Sequence, residues 1–313
     1  MLRRYLDPPS RDLLVPAPFD DAALWRGDRF VVATVDTLVE GIDFRLDWPG
    51  FDFQTLGRRL MAINLSDIAA MGAQPRHALV SLCLRPQMLA AEVTALFRGV
   101  AQQAGRFRCT IAGGDLSATT GPIMGTVTVI GQAASATAIL KRSGARPGWQ
   151  IGVTGTLGGA AAGLRLLESR HSPASRFERQ WVKAQLDPLP RVVAGQVLVR
   201  NGIRCGGDIS DGLVRDLEKL TDVDRVGATI DVDRLPLAPG LTRDQWSLAV
   251  ADSEDFELVC AGPASRMAAA QQALRALAIP LTVIGAIDAQ HGIRLHRGSR
   301  VETIEHGGYQ HFR

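Results

Sequence analysis

The sequence has no cysteines paired at metal-ligand spacing. Cys83, Cys109, Cys205 and Cys260 stand singly in apolar segments and read as small buried hydrophobes. No apolar run reaches the 18 residues needed to span a bilayer. The beginning, Met1-Leu-Arg-Arg-Tyr-Leu-Asp-Pro-Pro9, lacks the apolar centre of a signal peptide, so a cytoplasmic protein is expected. Lysine is scarce: Lys141, Lys183 and Lys219 are the only ones, and the rest of the 35 basic residues are arginines scattered along the chain. With a net charge of +3 there is neither a nucleic-acid footprint nor a polybasic membrane patch. The pattern G-x-x-x-x-G-K-[ST] is absent, so a P-loop does not hold any nucleotide.

What is present fits a globular enzyme. Hydrophobic residues make up 46% and charged residues 21%, and 313 residues suffice for two domains. Strand-like runs cover 30–36, 77–84, 109–113, 124–131, 150–154, 228–232, 256–260 and 281–286. Helix-like runs cover 56–71, 90–104, 160–169, 191–199, 213–220 and 265–277. Strands and helices interleave without a strict βαβ rhythm, which favours an α+β fold over a doubly wound sheet. The basic, glycine- and proline-bearing segment Lys141–Gly148 marks a junction, giving an N-terminal domain over 1–138 and a C-terminal one over 139–313. The polar stretch Glu168–Arg179 reads as a mobile surface loop.

The chemistry lies in acidic residues placed where the chain turns. Asn64 and Asp67 fall on one face of the apolar run Leu56–Met71, together with Leu60, Ile63 and Met71. A carboxylate in such a setting is costly to desolvate unless a cation or donors compensate it. Asp20-Asp21 precede an apolar stretch, Asp36 closes the first long strand-like run, and Asp115 follows Gly113-Gly114. Asp208 and Asp211 flank Ser210 just before a helix, and Glu254-Asp255 precede another strand-like run. Any one of these could be a turn cap. Recurring five times, carboxylates at strand ends and glycine turns suit hard cations that serve phosphate substrates. The glycine-rich Thr154–Ala160 follows a strand and opens a helix, so its amides could hold an anion, although close helix–strand packing explains the glycines equally well.

Taken together, these motifs resemble the thiamine-monophosphate kinase family, within the aminoimidazole ribonucleotide synthetase-like superfamily. The resemblance runs from about Phe19 to Phe312. It rests on Asp20-Asp21-Ala-Ala, Asp36-Thr-Leu-Val-Glu-Gly41 with Phe44, Asn64 through Ala73, and Gly113-Gly-Asp115. Further along it rests on Lys141-Arg-Ser-Gly144, Val153-Thr-Gly-Thr156, Asp208-Ile-Ser-Asp-Gly-Leu213, Glu254-Asp-Phe-Glu-Leu258 and Gly308-Tyr-Gln-His-Phe312. The resemblance implies two α/β domains, an N-terminal mixed sheet used for dimerisation and a C-terminal α/β sandwich. It also implies transfer of the γ-phosphoryl group of ATP to thiamine monophosphate with Mg²⁺. By motif position, Asp21, Asp36, Asp67, Asp115, Asp208 and Asp211 would ligate metal, with Asp67 and Asp211 central to catalysis. Gly114, Asp115, Arg142 and Ser210 would contact ATP, and Asp43, Glu254 and Tyr309 the acceptor. Asp43 stands where the family carries histidine, and Val35 where it carries Thr or Ser. Three readings stand at this point: the kinase, a paralogous ATP-dependent enzyme with another small phosphorylated or amine substrate, and a catalytically silent nucleotide-binding protein.

Overall fold

The structure, a computed structural model, describes residues 30–251 and 253–302, together with the backbone of two short paired strands, β1 (Leu13–Val15) and β2 (Leu24–Trp25). The chain divides into two compact units. One comprises Met1–Ile68 and Ala73–Ala136, the other Ala69–Gly72 and Thr137–Arg313.

In the first unit, β3 (Val31–Val39), β6 (Met124–Gln132), β4 (Gln74–Leu84) and β5 (Thr110–Ala118) form a sheet in the order β3-β6-β4-β5. Its pairs are antiparallel except β4 with β5, which are parallel and joined through helix α2 (Ala90–Arg106). Helix α1 (Phe53–Ala70) lies on this sheet: Leu60 approaches Gly125, and Ile68 approaches Gly131. The two helices cross where neither carries a side chain. A Cβ on Gly57 would sit 2.0 Å from Leu96 O, and one on Gly99 would sit 1.9 Å from Gln54 O. Successive side chains of β3 alternate between the two faces of the sheet, and Leu38 is buried while Val31 and Val35 are 54% and 58% exposed.

In the second unit seven strands run in the order β13-β12-β9-β11-β7-β10-β8. They are β7 (Gln150–Thr154), β8 (Cys205–Asp208), β9 (Gly227–Asp231), β10 (Leu258–Gly262), β11 (Leu281–Asp288), β12 (Gly292–Arg297) and β13 (Arg300–Glu302). Among these described strands only β9 and β12 pair in parallel. Helices α3 (Gly159–Glu168), α4 (Arg176–Leu186), α5 (Val192–Arg200), α6 (Leu213–Thr221), α7 (Ser247–Val250) and α8 (Ala264–Arg275) complete it. The core gathers Ile151, Val153, Leu217, Leu220, Ile230, Val259 and Ile284, each stabilising the fold by about 1.5–3 kcal/mol on burial.

With a single parallel pair in each large sheet, the architecture is α+β rather than doubly wound. Three sequence-based assignments are corrected. The stretch Glu168–Arg179 is not one loop, because α4 begins at Arg176 behind a capping box in which Ser175 Oγ accepts from the Glu178 amide. Strand β10 starts at Leu258 rather than Phe256, whose φ of 51° places it in the left-handed region. The four-residue strand β8, with Gly206 and Gly207 at its centre, went unrecognised.

Candidate functional site

In the first unit a strand and a helix exchange hydrogen bonds at the motif residues. Thr34 and Asp36 lie two apart on β3 and so point the same way. Asn64 and Asp67 share a face of α1. The Thr34 hydroxyl donates a short hydrogen bond to Asp67 Oδ2, and the Asp36 amide donates to Asn64 Oδ1 at 2.9 Å. Asn64 is itself oriented by donating from Nδ2 to Leu60 O at 3.1 Å. The structure therefore sets the Thr34–Asp36 stretch of β3 against the Asn64–Asp67 face of α1. Sequence reasoning missed Thr34, because attention to the residue just before Asp36 led to Val35, which points to the exposed face. Strand alternation was the signal that would have found it.

Asp115 lies elsewhere. Asp36 is in register with Val127, Val127 with Val80, and Val80 with Gly114. Three strand spacings thus separate Asp36 from the start of the Asp115 motif, roughly 14 Å of backbone. That is too far for the two to share an ion within one chain. The Asp115 carboxylate accepts from Ser117 Oγ at 2.9 Å. Gly114 is glycine for a packing reason, since a Cβ there would sit 1.8 Å from Val80 O. Asp43 serves a turn: its carboxylate accepts from the Val39 amide at 2.7 Å, and its own amide donates to Val39 O at 2.9 Å.

In the second unit a group of motif residues surrounds the end of β8. Arg142 lies across Gly207 and places Nη2 3.7 Å from Asp208 Oδ1. Its loop is held by Asp224, whose carboxylate accepts from the amides of Gly144 at 2.5 Å and Ala145 at 2.8 Å. The Ser210 and Asp211 amides both donate to Asp216 Oδ2, at 2.9 and 3.0 Å. Lys219 Nζ then bridges Asp211 at 2.5 Å and Asp216 at 2.6 Å. Asp216 is 1% exposed, and burial raises its pKa against the opposing charge of Lys219. Burial would lower the Lys219 pKa, but the Asp216 and Asp211 carboxylates outweigh it and the net shift is upward. Neither Asp216 nor Lys219 was singled out from the sequence. Their i, i+3 spacing on α6, immediately after the Asp208–Asp211 motif, was the available signal.

The glycine-rich turn before α3 does bind an anion, and the anion is part of the chain. Asp255 accepts from the Gly158 amide at 2.7 Å, the Ala160 amide at 3.1 Å and Ser253 Oγ at 2.7 Å. Burial pushes its carboxyl up to about 6, against the lowering effect of those bonds. Glu257 is buried and clasped by Arg191 through both oxygens, and it also accepts from Thr154 Oγ1 at 2.7 Å. Glu254 accepts from Gln185 Nε2 at 3.1 Å. The cysteines behave as expected of small hydrophobes: Cys109, Cys205 and Cys260 are buried, and burial pushes Cys205 and Cys260 up to about 12.

Asp21 and Tyr309 lie outside the described residues. Among the described residues, no three His, Cys, Asp or Glu side chains gather as a group that could hold a metal ion. The donors that are present, Asp36, Asp67 and the Thr34 hydroxyl in one unit and Asp208 and Asp211 in the other, are all oxygens. That chemistry fits Mg²⁺ rather than a soft metal.

Residues 19–133 match the AIR synthase related protein N-terminal domain, and residues 146–298 match the C-terminal domain of the same family. The chain is 34% identical to the thiamine-monophosphate kinase of Salmonella typhimurium, covering 94% of this chain and 90% of that one. It is 32% identical to the Bacillus subtilis enzyme, covering 94% and 92%. The thiamine-monophosphate kinase structure from Stenotrophomonas maltophilia superposes with a TM-score of 0.83 at 31% identity over 93% of each chain. AaThiL complexed with AMPPCP and TMP superposes with a TM-score of 0.78 at 26% identity, over 90% of this chain and 87% of that one. Matched along nearly its whole length by both domain models and by these kinases, the chain belongs to the AIR synthase related proteins and, within them, to the thiamine-monophosphate kinase family.

Proposed function

We propose that the protein transfers the γ-phosphoryl group of ATP to the phosphate of thiamine monophosphate, giving thiamine diphosphate and ADP. The observation that supports this most is similarity to thiamine-monophosphate kinases at about a third identity over nearly the whole chain, with the oxygen-donor motifs in place. An oxygen of the acceptor phosphate attacks the γ-phosphorus as the bond to the departing ADP oxygen breaks. That acceptor needs no general base, because the second pKa of a phosphate monoester is about 6 and the oxygen is already ionised at neutral pH. The described motifs accordingly offer carboxylates and an arginine rather than a histidine. Mg²⁺, when bound, supplies neutralisation and alignment of the two polyanions.

Asp21, Asp36, Asp67, Asp115, Asp208 and Asp211 would ligate metal ions, Asp115 a different ion from Asp36 within one chain, with Asp67 fixed by Thr34. Gly114 and Ser210 would border the nucleotide, and Arg142, placed by the Asp224-bound loop, would donate to its phosphates. Asp43, Glu254 and Tyr309 would form the acceptor side. Lys219 keeps Asp211 and the buried Asp216 in place. The working form is a homodimer, supported by the open face of the four-stranded sheet, where Val31 and Val35 are exposed. A cytoplasmic location is consistent with the finding that no described helix is long and apolar enough to cross a membrane. The activity is tested by ADP release with ATP, Mg²⁺ and thiamine monophosphate, thiamine or buffer. Release with thiamine monophosphate alone is expected, and equal release in all three refutes the assignment.

A further inference from the structure

The loop that carries Arg142 is pinned on both sides of that residue, all within the second unit. Before it, the Lys141 amide donates to Arg204 O at 2.9 Å, and Lys141 O accepts from the Gly206 amide at 3.0 Å. After it, the buried Ala145 side chain enters the core cluster that includes Leu220 and Val226. The Gly144 and Ala145 amides both donate to one oxygen, Asp224 Oδ2, at 2.5 and 2.8 Å. Gly144 takes a φ of 91°, which turns two successive amides towards a single acceptor without a side-chain clash. Asp224 itself stands in the turn that closes α6, where the Arg225 amide donates to Asp222 O and the Val226 amide to Thr221 O, both at 3.1 Å. Nearer its start, the same helix presents Asp216 to the Ser210 and Asp211 amides. The segment 213–224 therefore holds two pairs of backbone amides by one carboxylate each. One pair lies in the Asp208–Asp211 motif, and the other lies beside Arg142.

We propose that Asp224 is a positioning residue for nucleotide binding, acting through Arg142. The Arg142 side chain is half exposed, and its ion pair with Asp208 is long, at 3.7 Å. Its direction therefore depends on where its backbone is fixed. With the loop held, the side chain runs over Gly207, its Nε 3.5 Å from where a Cβ there would stand. Without the Asp224 carboxylate, water takes the two amides and the backbone just after Arg142 loses its clasp. A guanidinium whose backbone is already set gives up less freedom when it closes on a phosphate, so the effect falls on affinity for the nucleotide. This rests on the reading of Arg142 as a nucleotide contact.

The test is a double-mutant cycle read in equilibrium binding, with ATP and thiamine monophosphate titrated separately into the full chain in the presence of Mg²⁺. Asp224→Ala is expected to weaken ATP binding about fivefold, the scale of immobilising one rotamer-rich side chain, with the Kd for thiamine monophosphate within about twofold. In an Arg142→Leu background the same substitution is expected to add little, because the group it positions is gone. If Asp224→Ala fails to fold, Asp224→Asn takes its place, keeping the shape while offering the amides a neutral oxygen. A smaller ATP-selective weakening, absent beside Arg142→Leu, is then expected. An unmoved Kd for ATP, equal weakening for both ligands, or a full effect persisting beside Arg142→Leu overturns the role of Asp224. If Arg142→Leu itself leaves ATP binding unchanged, the nucleotide reading of Arg142 falls and this inference with it. A wild type that binds ATP but makes no thiamine diphosphate refutes the proposed reaction alone, and the ATP titrations still decide the role of Asp224.

Discussion

Asp67 sits on a helix among Ile68, Ala69 and Ala70, and its fixed donor is the Thr34 hydroxyl from the strand opposite. Water replaces a lost carboxylate there less readily than it does on an open loop. Asp67→Asn is therefore expected to lower turnover by more than tenfold, about 1.4 kcal/mol of barrier, without loss of fold. Retention of more than a tenth of wild-type kcat, with an unchanged melting temperature, refutes its proposed role. Lys219 belongs to a different class of residue. It partners a buried carboxylate, so Lys219→Met is expected to cost stability, about 3 kcal/mol in urea unfolding. Lys219→Arg, which keeps the charge, should recover most of that. Equal losses in the two variants would show that packing rather than the ion pair is responsible.

At the scale of elements, the cap of α3 has a titration of its own. The Asp255 carboxyl moves from its ordinary 3.8 up to about 6 in the folded protein, chiefly through burial. A raised folded value means the native state holds the proton more tightly than the unfolded chain does. The stabilisation is complete below pH ~4 and is lost as pH rises through about 6. Asp255→Asn cannot ionise, so the wild type should lose Tm relative to that variant between pH 5 and pH 7.5. A difference that stays flat across this range contradicts the account. The anion role of the turn itself was legible, because Thr154–Ala160 ends a strand and opens a helix. That the anion comes from residue 255 was not, since it depends on β10 returning beside β7 about 100 residues later.

The long apolar and alternating runs that became β3, β4, β6, β7, α1 and α2 were readable because burial imposes a period on them. Strand β8 was not, because its four residues include two glycines and it is defined by pairing with the distant β10 and a single bridge to Lys141. Helix α4 was hidden by its polar surface, although Ser175 and Glu178 announce its start. Among the proposed site residues, Asp36, Asp67, Asp208 and Asp211 showed in the sequence through their motifs. Thr34, Asp216, Lys219 and Asp224 did not, because their importance comes from what lies across from them.

At the scale of the whole molecule, the four-stranded sheet leaves one face exposed, with Val31 and Val35 on an outer strand. The proposed homodimer is expected to give twice the 33.6 kDa chain mass by light scattering at micromolar concentration, and Val35→Asp is expected to lower that mass towards the monomer. A monomeric wild type refutes the dimer. The central claim is transfer of a phosphoryl group from ATP to a phosphate acceptor by a Mg²⁺-dependent site. Its most direct measurement follows ATP labelled at the γ-phosphorus, incubated with purified protein, Mg²⁺ and thiamine monophosphate, with the products separated and counted. The account predicts label in thiamine diphosphate in one-to-one ratio with ADP, abolished by chelation of Mg²⁺. Label released as inorganic phosphate, or ADP formed without thiamine diphosphate, would contradict it.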